Sequence, residues 1–190
     1  MVAPVMQQGA VSRMITFPEG TWVDINNPAR RYEGHTTVNY PAPIEVLPLF
    51  ARAGAFIPQA NYEMDNVGDY NPDRLDIVYY SSDHPSTYTL FDDDLHSTGT
   101  LARDKHREIQ FTATPQGKTC FITIQGRGSI DGDTPNKDYR LIIPATAKPS
   151  KVKINGKKAQ GMTYDKRTST LTIPLTIADI AEATIVEIVK

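Results

Sequence analysis

The sequence predicts an all-β protein built as antiparallel β-sandwich. Three observations carry this. Apolar or alternating runs recur about every 8–12 residues, as in Leu75–Tyr80, Arg107–Ala113, Cys120–Gln125 and Ala183–Val189. Turn residues separate them, including Pro18-Glu19-Gly20, Pro115-Gln116-Gly117-Lys118 and Asn155-Gly156. No stretch has the ~3.6-residue period of a long helix, so βαβ units are not expected. A length of 190 residues suits one large or two small domains.

Taken in order, Val11–Phe17 alternates, with Val11, Met14 or Ile15, and Phe17 as inward positions. Thr21–Asp24 is the return strand. The segment Pro41–Pro58 holds four prolines among short apolar runs. Proline lacks an N–H donor and sits at strand starts, edges and bends. Ile44, Val46 and Leu47 therefore read as a strand, Leu49-Phe50-Ala51 as a buried turn, Gly54 as a tight bend and Ala55-Phe56-Ile57 as a second strand. Arg52, a charge in an apolar run, calls for a structural ion pair. Residues 61–74 read as a loop with at most one helical turn. Strands follow at Leu75–Tyr80, Thr87–Phe91, Arg107–Ala113, Cys120–Gln125, Tyr139–Ile143, Lys151–Ile154, Thr170–Leu175 and Ala183–Val189. Gly126-Arg127-Gly128 reads as a terminating turn, Asp131-Gly132-Asp133 as another turn, and Ile177–Ala181 as the one place for a helical turn.

Several of these segments carry a resemblance. Leu47-Pro48-Leu49-Phe50-Ala51-Arg52-Ala53-Gly54-Ala55-Phe56-Ile57-Pro58 resembles a segment of glycoside hydrolase family 31. Phe17-Pro18-Glu19-Gly20-Thr21-Trp22-Val23-Asp24 and the Arg31–Gly34 turn resemble neighbouring segments in the same order. Thr89-Leu90-Phe91-Asp92-Asp93-Asp94 resembles the motif that opens the family's second β-module, with Leu95 where the family has glycine. Val152–Gly156 resembles a strand of the distal module, and Ala3-Pro4-Val5 the exit from the catalytic barrel. The resemblance implies two antiparallel β-sandwich domains in tandem, a proximal one over 1–83 and a distal one over 84–190. The catalytic (β/α)8 barrel is absent from this chain. It further implies a parent enzyme that hydrolyses terminal α-glycosidic bonds with retention, of the α-glucosidase or α-xylosidase type.

The residues themselves name no catalytic site. A glycosidase needs two carboxyl groups, ~5–5.5 Å apart for retention or ~6.5–9.5 Å for inversion. Asp92 and Asp94 share a strand face but stand in a hydrophilic turn, with no apolar pocket to raise one pKa. Asp92, Asp93 and Asp94 read instead as a solvated or cation-paired acidic turn, with Ca²⁺ as the alternative. They lack the glycine and glutamate of a calcium loop, as does Asp131-Gly132-Asp133. His35, His84, His96 and His106 have no Gly-x-Ser-x-Gly partner. Cys120, the one cysteine, excludes an internal disulfide and reads as a buried structural thiol. The reading therefore assigns no catalytic, cofactor-binding or metal-ligating residue and no cofactor.

Net charge is −2, with no apolar run near the ~20 residues of a membrane span and no leader pattern. Neither nucleic acid nor membrane is expected as a partner. The expected partner is the parent's barrel. Weak carbohydrate contact through Trp22, with Tyr32, Tyr62 and Tyr70, is the alternative function, and a purely structural domain a third. Trp22 otherwise packs on its hairpin. The apolar start, Met1–Met6, predicts self-association through the N-terminal surface. Compartment is left open.

Overall fold

The computed structural model describes residues 1–94, 96–130 and 135–190. The turn expected at Asp131-Gly132-Asp133 and the position of Leu95 lie outside them. Among the described residues there are sixteen strands and one 3-10 turn, Val67–Asp69, inside the expected loop.

The first unit is small. β1 (Ser12–Thr16) pairs with β4 (Thr37–Pro41), while β2 (Thr21–Asp24) lies between β3 (Arg31–Glu33) and β5 (Phe50–Arg52). Ala3, Ile15, Phe17, Tyr40, Ala42 and Phe50 are buried between the two sheets. The Phe17 ring stacks on Tyr32 at 4.7 Å and meets Phe50 edge-on at 4.9 Å. Each such ring removed from water contributes about 1.5–3 kcal/mol. On β1 only Ile15 turns inward, followed by Phe17 beyond its end; Val11 and Met14 are exposed. Successive strand side chains take opposite faces, so an inward Ile15 forces Met14 outward.

The central segment departs from expectation. Residues 44–47 form no strand: Val46 N–H donates to the Pro43 carbonyl at 2.9 Å, closing a turn with Ile44 exposed at its tip. Prolines at 41, 43 and 48 remove the donors a ladder needs. Phe50 and Ala51, expected in a buried turn with Leu49, lie in strand β5 (Phe50–Arg52), paired with β2. Gly54 makes the bend with φ +88°, and a Cβ there would lie 2.9 Å from Ser86 Cβ. Arg52 is exposed and donates to the Glu19 carbonyl at 3.3 Å, so a carbonyl replaces the expected ion pair.

The larger unit is a two-layer sandwich. The further strands are β6 (Phe56–Ala60), β7 (Leu75–Tyr79), β8 (Ser86–Asp92), β9 (Arg107–Gln116), β10 (Thr119–Gly128) and β11 (Lys137–Ile143). After them come β12 (Lys151–Ile154), β13 (Lys157–Lys158), β14 (Thr163–Asp165), β15 (Thr170–Ile177) and β16 (Thr184–Val189). A six-stranded sheet runs β13-β12-β16-β10-β9-β8 and a five-stranded sheet β14-β15-β11-β7-β6. Among the described residues every ladder is antiparallel except β7 with β11.

Strand β7 explains how the sheets stack. It is buried along its whole length. Leu75, Ile77 and Tyr79 enter the sandwich core, while Val78 packs with Val23, Ala51 and Tyr80. The β3-β2-β5 sheet is thus covered on both faces, by Val78 on one and by the Phe17–Tyr40 cluster on the other. Asp76, the polar residue in β7, is held by Arg140 of β11 through two contacts at 2.6 and 2.7 Å.

One sheet crosses the expected division at 83/84. β6 and β7 precede it in sequence yet hydrogen-bond into the sheet of β11, β15 and β14. Polar residues 61–74 and 81–86 punctuate the chain, but β7 needs cover on both faces: its Leu75, Ile77 and Tyr79 face takes it from the sandwich core, and Val78 takes it from Val23 and Ala51 of the first unit.

Two turns also shift. β9 continues to Gln116, leaving Gly117 and Lys118 as the turn. Gly126-Arg127-Gly128, expected as a terminating turn, forms the last three paired residues of β10, opposite Ile109, Glu108 and Arg107. Gly126 is small because a Cβ would sit 2.9 Å from Ile180 Cγ1. Asn155 and Gly156 form the expected hairpin turn, with φ +49° and +77°. The Ile177–Ala181 stretch holds a turn and no helix.

Candidate functional site

Two regions could bear function: the acidic turn after β8 and the exposed apolar surface around β1. Asp92 closes β8 and is buried, in register with the buried Arg107 of β9. Asp93 accepts the Thr100 hydroxyl at 2.9 Å. Asp94 accepts the backbone N–H of His96 at 3.0 Å and of Ser97 at 2.7 Å, and the Ser97 hydroxyl at 2.5 Å. These donors, the Ser97 hydroxyl foremost, lower its pKa to about 2. A catalytic acid needs the opposite shift. The Asp93 and Asp94 carboxylates hold the loop. Among the described residues, no three of His, Cys, Asp and Glu converge on one point.

The other positions singled out from the sequence are scattered. His35, His84 and His96 are exposed, and His106 stacks on Phe91 at 5.2 Å. Cys120 is half-buried beside a cavity of about 60 Å³, and burial pushes its thiol pKa up. Trp22 is half-buried against the first core, its indole N–H donating to the Pro18 carbonyl at 2.9 Å. Tyr32 stacks inside that core, Tyr62 lies under the Arg74 guanidinium, and Tyr70 packs on the larger core, burial raising its pKa to about 12. Those four rings form no common platform.

The apolar start is exposed only in part: Ala3 is buried in the first core and Met1 and Val5 pack against it, while Val2 and Met6 are exposed. Met6 is 85% and Met14 62% accessible, and Val11 is exposed as well. A groove of about 420 Å³ runs between Met6, Met14 and Asn39. Sequence reading placed Val11 inward and left Met14 or Ile15 as alternatives; the structure turns Ile15 inward and leaves Val11 and Met14 exposed.

Residues 1–57 match the glycosyl hydrolase family 31 C-terminal domain. The chain carries a family-31 C-terminal domain. It is 40% identical over 160 residues to an isomaltosyltransferase of Sporosarcina globispora, an alignment covering 82% of the chain and 13% of that protein. A 1,6-α-glucosyltransferase of the same organism is 30% identical over 97 residues, covering 50% of the chain and 7% of that protein. The fold matches a family-31 dextranase of Flavobacterium johnsoniae with a TM-score of 0.86 at 22% identity, over 100% of the chain and 25% of the dextranase. The chain therefore spans a quarter or less of each of these relatives. The family resemblance and the all-β sandwich fold read from the sequence are both borne out.

Proposed function

We propose that this chain is the non-catalytic C-terminal region of a family-31 enzyme acting on α-glucosidic linkages, and that it packs against that enzyme's barrel. The observation that carries the reading is the 40% identity over 160 residues with an isomaltosyltransferase. The names of the relatives favour sugar transfer over the hydrolysis expected from the sequence. The two outcomes share chemistry: in a retaining mechanism a carboxylate forms a glycosyl-enzyme, which a sugar hydroxyl or water then opens. The Asp93 and Asp94 carboxylates are committed to loop hydrogen bonds, which fits a chain that leaves this step to another domain. The exposed Met6–Met14 surface suits contact with that domain, since covering it removes apolar area from water.

The test uses the chain alone and mixed with the S. globispora isomaltosyltransferase lacking its own C-terminal region. No turnover of an aryl α-glucoside is expected from the chain alone, and the mixture should gain isomaltosyl transfer and a higher Tm. Turnover by the chain that disappears in Asp92→Asn would overturn the reading.

A further inference from the structure

The outer face of the six-stranded sheet carries a groove that neither the acidic turn nor the apolar surface uses. Strand register sets its side chains in two rows. Phe91 of β8 stands opposite Glu108 of β9, which stands opposite Arg127 of β10. Two residues along, Thr89, Gln110 and Gln125 make the second row. Directly opposed residues share a sheet face, so all six side chains project to one side. Between the rows lies a groove of about 380 Å³, within the ~300–1,000 Å³ of small-molecule sites.

Three features give the groove a chemical preference. Phe91 at its rim is 46% accessible, and its ring is steadied by near-parallel stacking on His106. The Glu108 carboxylate accepts from Arg127 Nε at 2.8 Å and also from Nη2, so the two charges cancel. Gln125 Nε2 donates to the Ala181 carbonyl at 3.0 Å, which fixes its amide plane. The groove lining therefore offers two carboxamides, a hydroxyl and a neutralised ion pair, with the Phe91 ring beside it on β8, next to Glu108 in register. An anion or a cation finds no net opposite charge there. A neutral sugar matches the set: its C–H face packs on an aromatic ring, and its adjacent hydroxyl pairs suit planar amide, carboxylate and guanidinium groups.

We propose that this groove binds a short neutral oligosaccharide. That the sugar is an α-glucan rests on the reading of the parent enzyme given above; the preference for a neutral polyol rests on the groove alone. The site is separate from the Trp22 region and touches none of the acidic-turn carboxylates.

Titration of the isotope-labelled chain with isomaltotriose, followed by amide NMR, tests this. Shifts are expected at Thr89, Phe91, Glu108, Gln110, Gln125 and Arg127. Phe91→Ala should weaken binding roughly two- to tenfold, the range set by one aromatic contact. Gln110→Ala, at an exposed position on the strand, provides a second variant that leaves the core untouched. Shifts at the same residues with xylotriose but none with isomaltotriose would support the groove and overturn the α-glucan reading. Absence of shifts there with every neutral oligosaccharide, or shifts confined to the Trp22 hairpin, would overturn the proposal itself.

Discussion

The hydroxyl of Tyr40 donates to the carboxylate of Asp24 at 2.9 Å across the interior of the first unit. Tyr40 lies on β4 and Asp24 on β2, so this bond ties its two sheets together. Asp24 is fully buried, and its other oxygen accepts the backbone N–H groups of Asn26 and Asn27 at 2.9 and 3.2 Å. Burial, then the hydrogen bond to Asp24, raises the Tyr40 pKa. Tyr40→Phe leaves one buried carboxylate oxygen without its donor, a loss of about 1–3 kcal/mol. Urea melts check this; a change under ~0.5 kcal/mol, typical of surface positions, would show that the bond contributes little.

Phe50 is the hub of the same core, meeting the rings of Phe17, Tyr32 and Tyr40 at 4.9, 5.7 and 5.3 Å. Phe50→Ala should cost ~3–5 kcal/mol through lost burial and the cavity left behind.

Gly54→Val should also destabilise, for a different reason. Gly54 sits at φ +88° with Ser86 Cβ 2.9 Å from where a side chain would start. A β-branched residue meets both strain and a clash. Its effect should appear mainly as lost docking of the first unit on β7, read by hydrogen exchange at the Gly54 N–H, which donates to the Tyr80 carbonyl. Unchanged protection there would contradict this placement.

Asp94 gives a pH dependence. Its pKa is lowered to about 2, first by the Ser97 hydroxyl. A depressed folded-state pKa stabilises the ionised turn above the unfolded value of ~3.9. That contribution is lost as pH falls through about 2. A carboxyl titration by NMR should find the low midpoint, with the Ser97 amide following it. A midpoint near ~3.9 would mean the turn does not hold the carboxylate.

The exposed Met6 and Met14 side chains predict self-association of the isolated chain through the first unit. Light scattering should show mass rising with concentration, and Met14→Lys should suppress it. A strict monomer at high concentration would count against this surface as an interface.

Much of the fold was legible in the sequence because local patterns carry it. The Asn155-Gly156 turn, the alternation along β9 and the largely apolar Leu75–Tyr79 run of β7 each determine their element from neighbouring residues. Family membership was legible from the Leu47–Pro58 and Phe17–Asp24 segments, whereas the acidic turn was legible only as a turn, without the His96 and Ser97 donors that hold Asp94. Local pattern did not decide which face of β1 points inward, whether 44–47 pairs, or to which sandwich β6 and β7 belong. Those depend on partners distant in sequence: β7 is completed by β11 in parallel register, Ile77 opposite Leu141. The groove beside Phe91 was equally hidden. Thr89, Gln110 and Gln125 are ordinary polar strand residues until three-strand register sets them side by side, and only the tertiary structure supplies that register.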